Sequence, residues 1–393
     1  MRTIVLLFTR DLRVVDNPML ATSCAVADRV VPLFVVDPAI EASPIRRRFL
    51  AESLTDLRES LRTLGGDLLV REGEPAEVAA TVAAEAGTNQ VAITADVSAY
   101  AKSREERLRE RGLEVRAFPG VTVVPAGKVR PSGGGDHYKV FTPYWRAWEA
   151  TTWRDLAEAP KSVTLPDGMT GDDPRVILGD TSPSTLMPGG EQAAHERLDA
   201  WAPRAGDYPD LHDALGEDGT SRLSPYLHFG CVSPLALATD PRVHPAFVRQ
   251  LCWRDFYHQV LAGFPRLGSE AYRPGVVEDW TDDPAAFESW KAGETGVEVV
   301  DAGMRQLLAE GWMHNRARMI TANYLTKTLG LDWRRGAAWF AERLLDADVA
   351  NNNGNWQWVA GTGNDSKPYR RFNPVRQQAR FDPEGDYVRR WLG

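Results

Sequence analysis

The densest concentration of groups able to do chemistry lies between Leu344 and Trp358, in LLDADVANNNGNWQW. Asp346 and Asp348, asparagine amides at 351, 352, 353 and 355, and Trp356 and Trp358 sit there with little apolar filling. Amides present donors and acceptors along one edge, which suits a heteroaromatic ring, and indoles offer flat surfaces to bases. Without its tryptophans the stretch would read as a solvated Asn-rich turn; with them it reads as a site. A second cluster, Gly219-Thr220-Ser221-Arg222-Leu223-Ser224-Pro225, places three hydroxyls and an arginine ahead of a helix start. Pro225 sits where a first-turn proline is favoured. Free backbone N–H groups there would face an anion, or the hydroxyls serve only to cap the helix.

In Gly311-Trp312-Met313-His314-Asn315-Arg316-Ala317-Arg318-Met319, the residues Asn315, Arg318 and Met319 are three or four apart and share a helix face. Arg316 points about 100° away from Asn315 and can serve another surface. That helix either meets a polar ligand and a phosphate backbone or is a surface helix laced with ion pairs. Gln250-Leu251-Cys252-Trp253-Arg254-Asp255-Phe256-Tyr257 adds an aromatic helical face of the kind that is usually core. Lys367, Arg370, Arg371, Arg376 and Arg380, interleaved with Tyr369, Phe372 and Phe381, suit either a phosphate backbone or a solvated face. No metal site is expected: His314 lacks a partner at ligand spacing, and Cys24, Cys231 and Cys252 show no paired spacing.

The elements that must carry these residues change character along the chain. Up to about residue 125, short β-branched runs at Thr3–Phe8, 30–36, 67–70, 90–94 and 114–118 alternate with amphipathic segments starting near Asn17, Arg46, Pro75 and Ser98. Strict alternation predicts a doubly wound, parallel five-stranded α/β domain over 1–130. The first strand-to-helix turn, TRDLRVVDNP, has no GxGxxG, which disfavours a dinucleotide site of the usual kind. A break at PSGGGD and a Pro-, Gly- and Asp-rich stretch predict a long interdomain linker over 131–191. Beyond it, 192–393 is expected to be all-α. The fold class is therefore α/β followed by all-α.

With 393 residues, 43% apolar and 25% charged, the chain is that of an ordinary globular protein. No apolar run is long enough to span a bilayer, and the N-terminal apolar stretch is too short for a signal peptide, so a cytoplasmic protein with no membrane partner is expected. A monomer is expected. The net charge of −8 argues weakly against nucleic acid, yet residues 301 to 393 carry 14 Lys and Arg against 10 Asp and Glu, which leaves room for a local basic surface. Nine of the 13 tryptophans fall from Trp253 onward, an asymmetry that needs an account.

Taken in order, TSRLSPYLHFG, WRDFY, TGVEVVDAGMRQL, GWMHNRARMITANYL, LLDADVANNNGNWQW and FDPEGDYVRRWL, with FTRDLRVVDNP and YKVFTPYWRAW before them, resemble the DNA photolyase and cryptochrome flavoproteins. The likeness is greatest to class I cyclobutane pyrimidine dimer photolyases and runs over nearly the whole chain. It implies a folded-back FAD in the helical domain, with Tyr208, Thr220, Ser221, Arg222, Leu223 and Ser224 at the diphosphate. Gln250, Arg254, Trp312, Asn315, Arg318, Asp346, Asp348 and Asn352 would surround the rest of the cofactor, with Arg318 paired to Asp346 and Asn352 at N5.

The resemblance also implies an electron relay of Trp356 beside the flavin, Trp333 in the middle and Trp290 at the surface. Trp253 and Trp358 would flank a dimer flipped out of UV-damaged DNA, with Met319 beneath it and Arg316 on a phosphate. The implied activity is light-driven electron donation from reduced FAD to the dimer, splitting its cyclobutane ring. A blue-light receptor of the cryptochrome type, or a photolyase for the (6-4) photoproduct, are the alternatives. Gln250 stands where dimer photolyases commonly carry Glu, and the family's His pair for the (6-4) lesion is His314-Asn315 here. An antenna chromophore of the folate or 8-hydroxy-deazaflavin type would lie near Phe34, Asp37 and Arg46 to Arg48.

Overall fold

A computed structural model describes residues 1–179, 186–364 and 370–393. The chain divides into two compact units, each assembled from three segments. The first comprises Met1–Val129, Trp148–Ala200 and Arg222–Val243; the second comprises Arg130–Ala147, Trp201–Ser221 and His244–Gly393. The stretch expected as a linker is thus shared: its beginning belongs to the second unit and its remainder to the first.

The first unit is built on a five-stranded sheet of β1 (Thr3–Phe8), β2 (Arg29–Val36), β3 (Leu69–Glu72), β4 (Gln90–Thr94) and β5 (Glu114–Phe118), in the order β3-β2-β1-β4-β5. All pairings are parallel, with Leu7 opposite both Leu33 and Ile93. Strand β1 sits at the centre and is buried on both faces, which is why TIVLLF is a continuous apolar run and not an alternating one. Helices Pro18–Val26, Pro44–Thr63, Pro75–Glu85 and Ala99–Glu110 make the crossovers, each opened by a side chain that accepts from a first-turn N–H: Asn17, Ser43, Glu74 and Ser98.

Beyond the carboxyl ends of β1 and β4, where the strand order reverses, an open α/β sheet commonly binds its ligand. Here the protein fills that place itself. Thr94 donates from Oγ1 to Asp11 Oδ2 at 2.6 Å, both side chains being buried. The guanidinium of Arg13, also buried, donates to the carbonyls of Val15, Asp16, Gly120 and Gly230. Burial pushes the Asp11 carboxyl up, opposed by the Thr9 N–H and the Thr94 hydroxyl. The DLR of the first turn is therefore a buried structural tie, not a phosphate cradle. Gly230 (φ 71°) is part of it: a Cβ there would lie 2.0 Å from the carbonyl oxygen of Arg10.

Among the described residues the second unit holds no strand. Its core gathers Trp290, Val299, Met304, Leu307, Met313, Ile320, Leu325, Trp333, Phe340, Trp356 and Tyr387. The helices Pro284–Ala292, Glu298–Glu310, Asn315–Asn323, Trp333–Arg343 and Val349–Ala360 supply most of that surface. The stretch from Trp312 to Thr328 does not run as one helix. Gly311 ends the preceding helix in the left-handed region, His314 caps the next through Nδ1, and residues 324–328 form a π-helical turn. No helix of the described residues is long and apolar enough to cross a membrane.

Candidate functional site

Two helices of the second unit, Asn315–Asn323 and Val349–Ala360, pack against each other and share a pocket with the turn at Leu344 to Asp346 that follows the helix Trp333–Arg343. Together with Phe340 they enclose a cavity of about 90 Å³. Six residues singled out in the sequence line it: Asn315, Arg318, Met319, Asp346, Asn352 and Trp356. Asn351 and Asn355 from the amide-rich run line it too, together with Phe340, Leu344, Ala322 and Val359. The spacing of Asn315, Arg318 and Met319 had put them on one helix face, and Asn315 Nδ2 lies 3.9 Å from Met319 Sδ.

Charge enters the cavity as a matched pair. Arg318 donates through both terminal nitrogens to Asp346, Nη1 to Oδ1 at 2.9 Å and Nη2 to Oδ2 at 2.8 Å, and through Nε to the Met313 carbonyl at 2.8 Å. A planar fork held at all three nitrogens cannot rotate, so the pair presents a fixed edge. Asn352 donates from Nδ2 to the Ala337 carbonyl at 2.9 Å on the neighbouring helix. Its Oδ1 has no hydrogen-bond partner among the described residues and is left to accept from a ligand. A rigid ion pair, four amides and an indole wall fit one edge of a polar heteroaromatic ring, the isoalloxazine of FAD being of that kind.

Packing fixes the indole wall. Trp356 is 3% exposed and stands edge-on to Phe340 at 5.0 Å and to Trp290 at 6.1 Å between ring centres. Gly336, on the helix opposite, allows that approach, since a Cβ there would come within 2.2 Å of Trp356 Cη2 and 2.6 Å of Leu325 Cδ2. Gly336→Ala is expected to destabilise the protein by about 1–3 kcal/mol through overpacking and to weaken flavin retention. Urea unfolding and the flavin absorbance of purified protein measure both.

Trp290 is a correction to the reading from sequence. It was expected at the surface, yet it is fully buried, with Nε1 donating to the Thr321 carbonyl at 3.1 Å, and it stands beside Trp356 itself. Trp333 is fully buried as well. Trp280, ten residues before Trp290, was missed: it is only partly buried and donates from Nε1 to Glu278 Oε2 at 3.1 Å. The same Glu278 is held by Arg334, whose guanidinium lies 4.8 Å over the Trp333 ring. Arg334 keeps the Glu278 carboxyl below the usual carboxylate range. Trp333 and Trp280 thus flank one ion pair, one indole buried and the other partly open to solvent. Phe340, also missed, was legible as position i+7 from Trp333 on an amphipathic helix.

The remaining expectations fall outside the cavity. Asp348 caps the helix Val349–Ala360, accepting from Asn351 N at 2.8 Å, and lies 3.2 Å from His258. Trp312 is buried with its edge to His314. Arg316 is bound to Asp213 through Nε and Nη2, and its guanidinium lies 4.3 Å over Phe381. Trp253 stacks on Phe141, and Arg370 lies 5.4 Å over Trp358. Asn323, 2% exposed, accepts from Phe372 N and donates to the Arg370 carbonyl, fixing that segment. Gln250 is exposed and Arg254 half-buried on the helix Pro245–Gly263. Lys367 and Tyr369 lie outside the described residues.

Of the proposed diphosphate residues, Tyr208, Thr220 and Ser221 belong to the second unit and Arg222, Leu223 and Ser224 to the first. Tyr208 is buried against Trp201 and Phe247. Arg222 (φ 52°) is one of two non-glycine residues in the left-handed region among those described, a conformation costing roughly 1–2 kcal/mol that surroundings must over-determine. The helix it precedes runs only from Ser224 to Phe229, and no side-chain hydrogen bond caps its start. In the first unit Asp37 accepts from the Tyr100 hydroxyl, and Arg48 is committed to Glu52 and the Met187 carbonyl. A cavity of about 240 Å³ there is lined from β1, β4 and β5 and shares no residue with the proposed antenna positions.

Residues 247–393 match the family profile described as the FAD binding domain of DNA photolyase, and residues 4–163 that described as DNA photolyase. A deoxyribodipyrimidine photo-lyase of Streptomyces griseus is 49% identical over 410 residues, spanning 100% of this chain and 90% of that protein. Among solved structures, a bacterial class III photolyase from Agrobacterium tumefaciens superposes with a TM-score of 0.91 at 33% identity, covering 100% of this chain and 86% of the other. An archaeal photolyase from Sulfolobus tokodaii, described with two FAD molecules and a novel light-harvesting cofactor, gives 0.88 at 32% identity over 99% of this chain and 90% of the other.

Proposed function

The chain belongs to the DNA photolyase and cryptochrome family, and from that premise we propose that it is a deoxyribodipyrimidine photo-lyase, an FAD-dependent enzyme that uses light to split cyclobutane pyrimidine dimers in UV-damaged DNA. The observation that carries this is the cavity itself, where the Arg318–Asp346 pair, Asn315, Asn352 and Trp356 converge within the stretch that matches the FAD-binding profile.

Reduced FAD, when bound, supplies on illumination the electron that opens the cyclobutane ring. The protein's part is to hold and tune. Arg318 and Asp346 set a fixed donor and acceptor edge at the cavity, Asn352 offers its free carbonyl oxygen, and Asn315 lines the same wall. Trp356 closes one side and is the residue through which an electron reaches the cavity. The partly open Trp280, sharing the Arg334–Glu278 pair with Trp333, is the better candidate for the solvent end of that relay than the buried Trp290. An indole radical at a wet position can lose its proton to water, whereas one buried at Trp290 has only a backbone carbonyl as partner.

Trp253 and Trp358 provide the flat surfaces for an extruded lesion, which costs less to unstack than a sound base pair. Gln250, exposed on the same helix as Trp253, can donate a hydrogen bond to a pyrimidine carbonyl but cannot give it a proton. Gln250→Glu is therefore expected to raise the yield of repair per absorbed photon; an unchanged yield means that proton donation at 250 is not limiting.

The decisive experiment is chromatographic measurement of light-dependent reversal of a defined thymine dimer in an oligonucleotide, using anaerobically reduced protein and a dark control. Reversal is the expected result. Absence of reversal by protein that holds reducible FAD would overturn the assignment and favour a receptor or a different lesion.

A further inference from the structure

The helix Pro245–Gly263 carries Arg249 and Trp253 one turn apart, so both point to the same side. They meet one ring. Phe141 stacks on Trp253 with ring centres 3.6 Å apart and planes within 4°, and the guanidinium carbon of Arg249 lies 5.4 Å from the centre of the same phenyl. Face-to-face contact with so little offset is the arrangement that aromatic pairs avoid when left to themselves. Here it is imposed: Phe256 sets its edge against both rings, at 5.8 Å and 89° to Phe141 and at 5.6 Å and 85° to Trp253. One face of Trp253 is therefore closed by Phe141, and its plane is set before any base arrives.

Arg249 differs from the arginine that the family resemblance put on DNA. The charge of Arg316 is taken up by the Asp213 carboxylate, at 3.2 Å from its Nε and with Nη2 on the second oxygen. Arg249 is exposed and makes no ion pair with any described residue. A guanidinium held on an aromatic face keeps its donors directed outward while its own plane is restrained, which suits bidentate capture of a phosphate.

Resting on the photolyase reading above, we propose that Arg249 binds a backbone phosphate of the damaged strand and that Phe141, the ring it shares with Trp253, couples that contact to stacking of the extruded base. Phosphate binding then fixes the guanidinium over Phe141, and Phe141 holds Trp253 in the plane it already has when the base arrives. Arg249 and Phe141 are positioning residues: neither is required to touch the reacting bonds.

The test is dark binding of the holoprotein to a dimer-containing duplex and to the same duplex without damage, titrated over salt, for the parent, Arg249→Gln, Arg249→Lys and Phe141→Leu. Loss of one phosphate contact lowers the slope of log Kd on log salt by about 0.9, so a fourfold rise in salt should weaken Arg249→Gln about 3.5-fold less than the parent, on both duplexes. Arg249→Lys should keep the slope while binding more weakly. Phe141→Leu should leave the slope unchanged and reduce the preference for damaged duplex by roughly threefold to tenfold.

An unchanged slope for Arg249→Gln in a protein that still prefers the dimer overturns the phosphate contact and leaves the repair assignment standing. Equal weakening of both duplexes by Phe141→Leu overturns the coupling. A parent with no preference for the dimer but with the slope change in Arg249→Gln strikes at the lesion assignment and upholds the contact.

Discussion

Arg318→Met is expected to leave a protein destabilised by about 3–5 kcal/mol and purified almost free of flavin. The reason is the burial of the Asp346 charge. Its carboxylate is 4% exposed and has Arg318 as its bidentate partner, and removing that partner strands a charge in a place that water barely reaches. Loss of stability alone would not show that the pair serves the cofactor, because breaking any buried ion pair has this effect. The companion double variant, Arg318→Met with Asp346→Leu, separates the two roles. Replacing both charges by apolar groups is often neutral for stability, so urea unfolding should return close to the parent while flavin absorbance stays low. Recovery of flavin in the double variant would mean that the pair only supports the fold. Arg318→Lys should fall between, since an ammonium keeps the charge but cannot span both carboxylate oxygens and the Met313 carbonyl in one plane.

The second large effect concerns light-driven reduction of the bound flavin in air, with an external reductant as terminal donor. Trp356→Phe should all but abolish it, because the cavity's indole wall is also the first stepping stone into the tryptophan-rich core. Chemically reduced protein is the control, in which repair should fall far less than photoreduction does. The path beyond Trp356 then divides two readings. Trp280→Phe should slow photoreduction severely, while Trp290→Phe should slow it little. The cost of Trp290→Phe is instead to stability, about 1–3 kcal/mol, since the smaller ring leaves a gap at a fully buried position and gives up the Nε1 hydrogen bond to the Thr321 carbonyl. The reverse ranking of these two variants would restore Trp290 as the outlet and exclude Trp280.

Much of this protein is legible before any tertiary contact is known. The five strands and four crossovers of the first unit follow from period and caps alone, because Thr3–Phe8 and its neighbours are apolar on both faces and each helix opens on a side chain that satisfies its first turn. The cavity's main residues were also readable, since Asn315, Arg318 and Met319 are bound to share a face by helix geometry and the amide run from 351 to 355 has no use in a core. The tertiary structure decided what depends on depth and on partners distant in the chain. Nothing local tells Trp280 from Trp290: their different burial comes from where the helix Pro284–Ala292 packs against the core. Nothing local says that Arg316 is answered by Asp213, 103 residues away, while Arg249 is answered by no carboxylate among the described residues. Periodicity fixes direction around a helix axis, but burial and charge pairing are set by what the fold brings to that side.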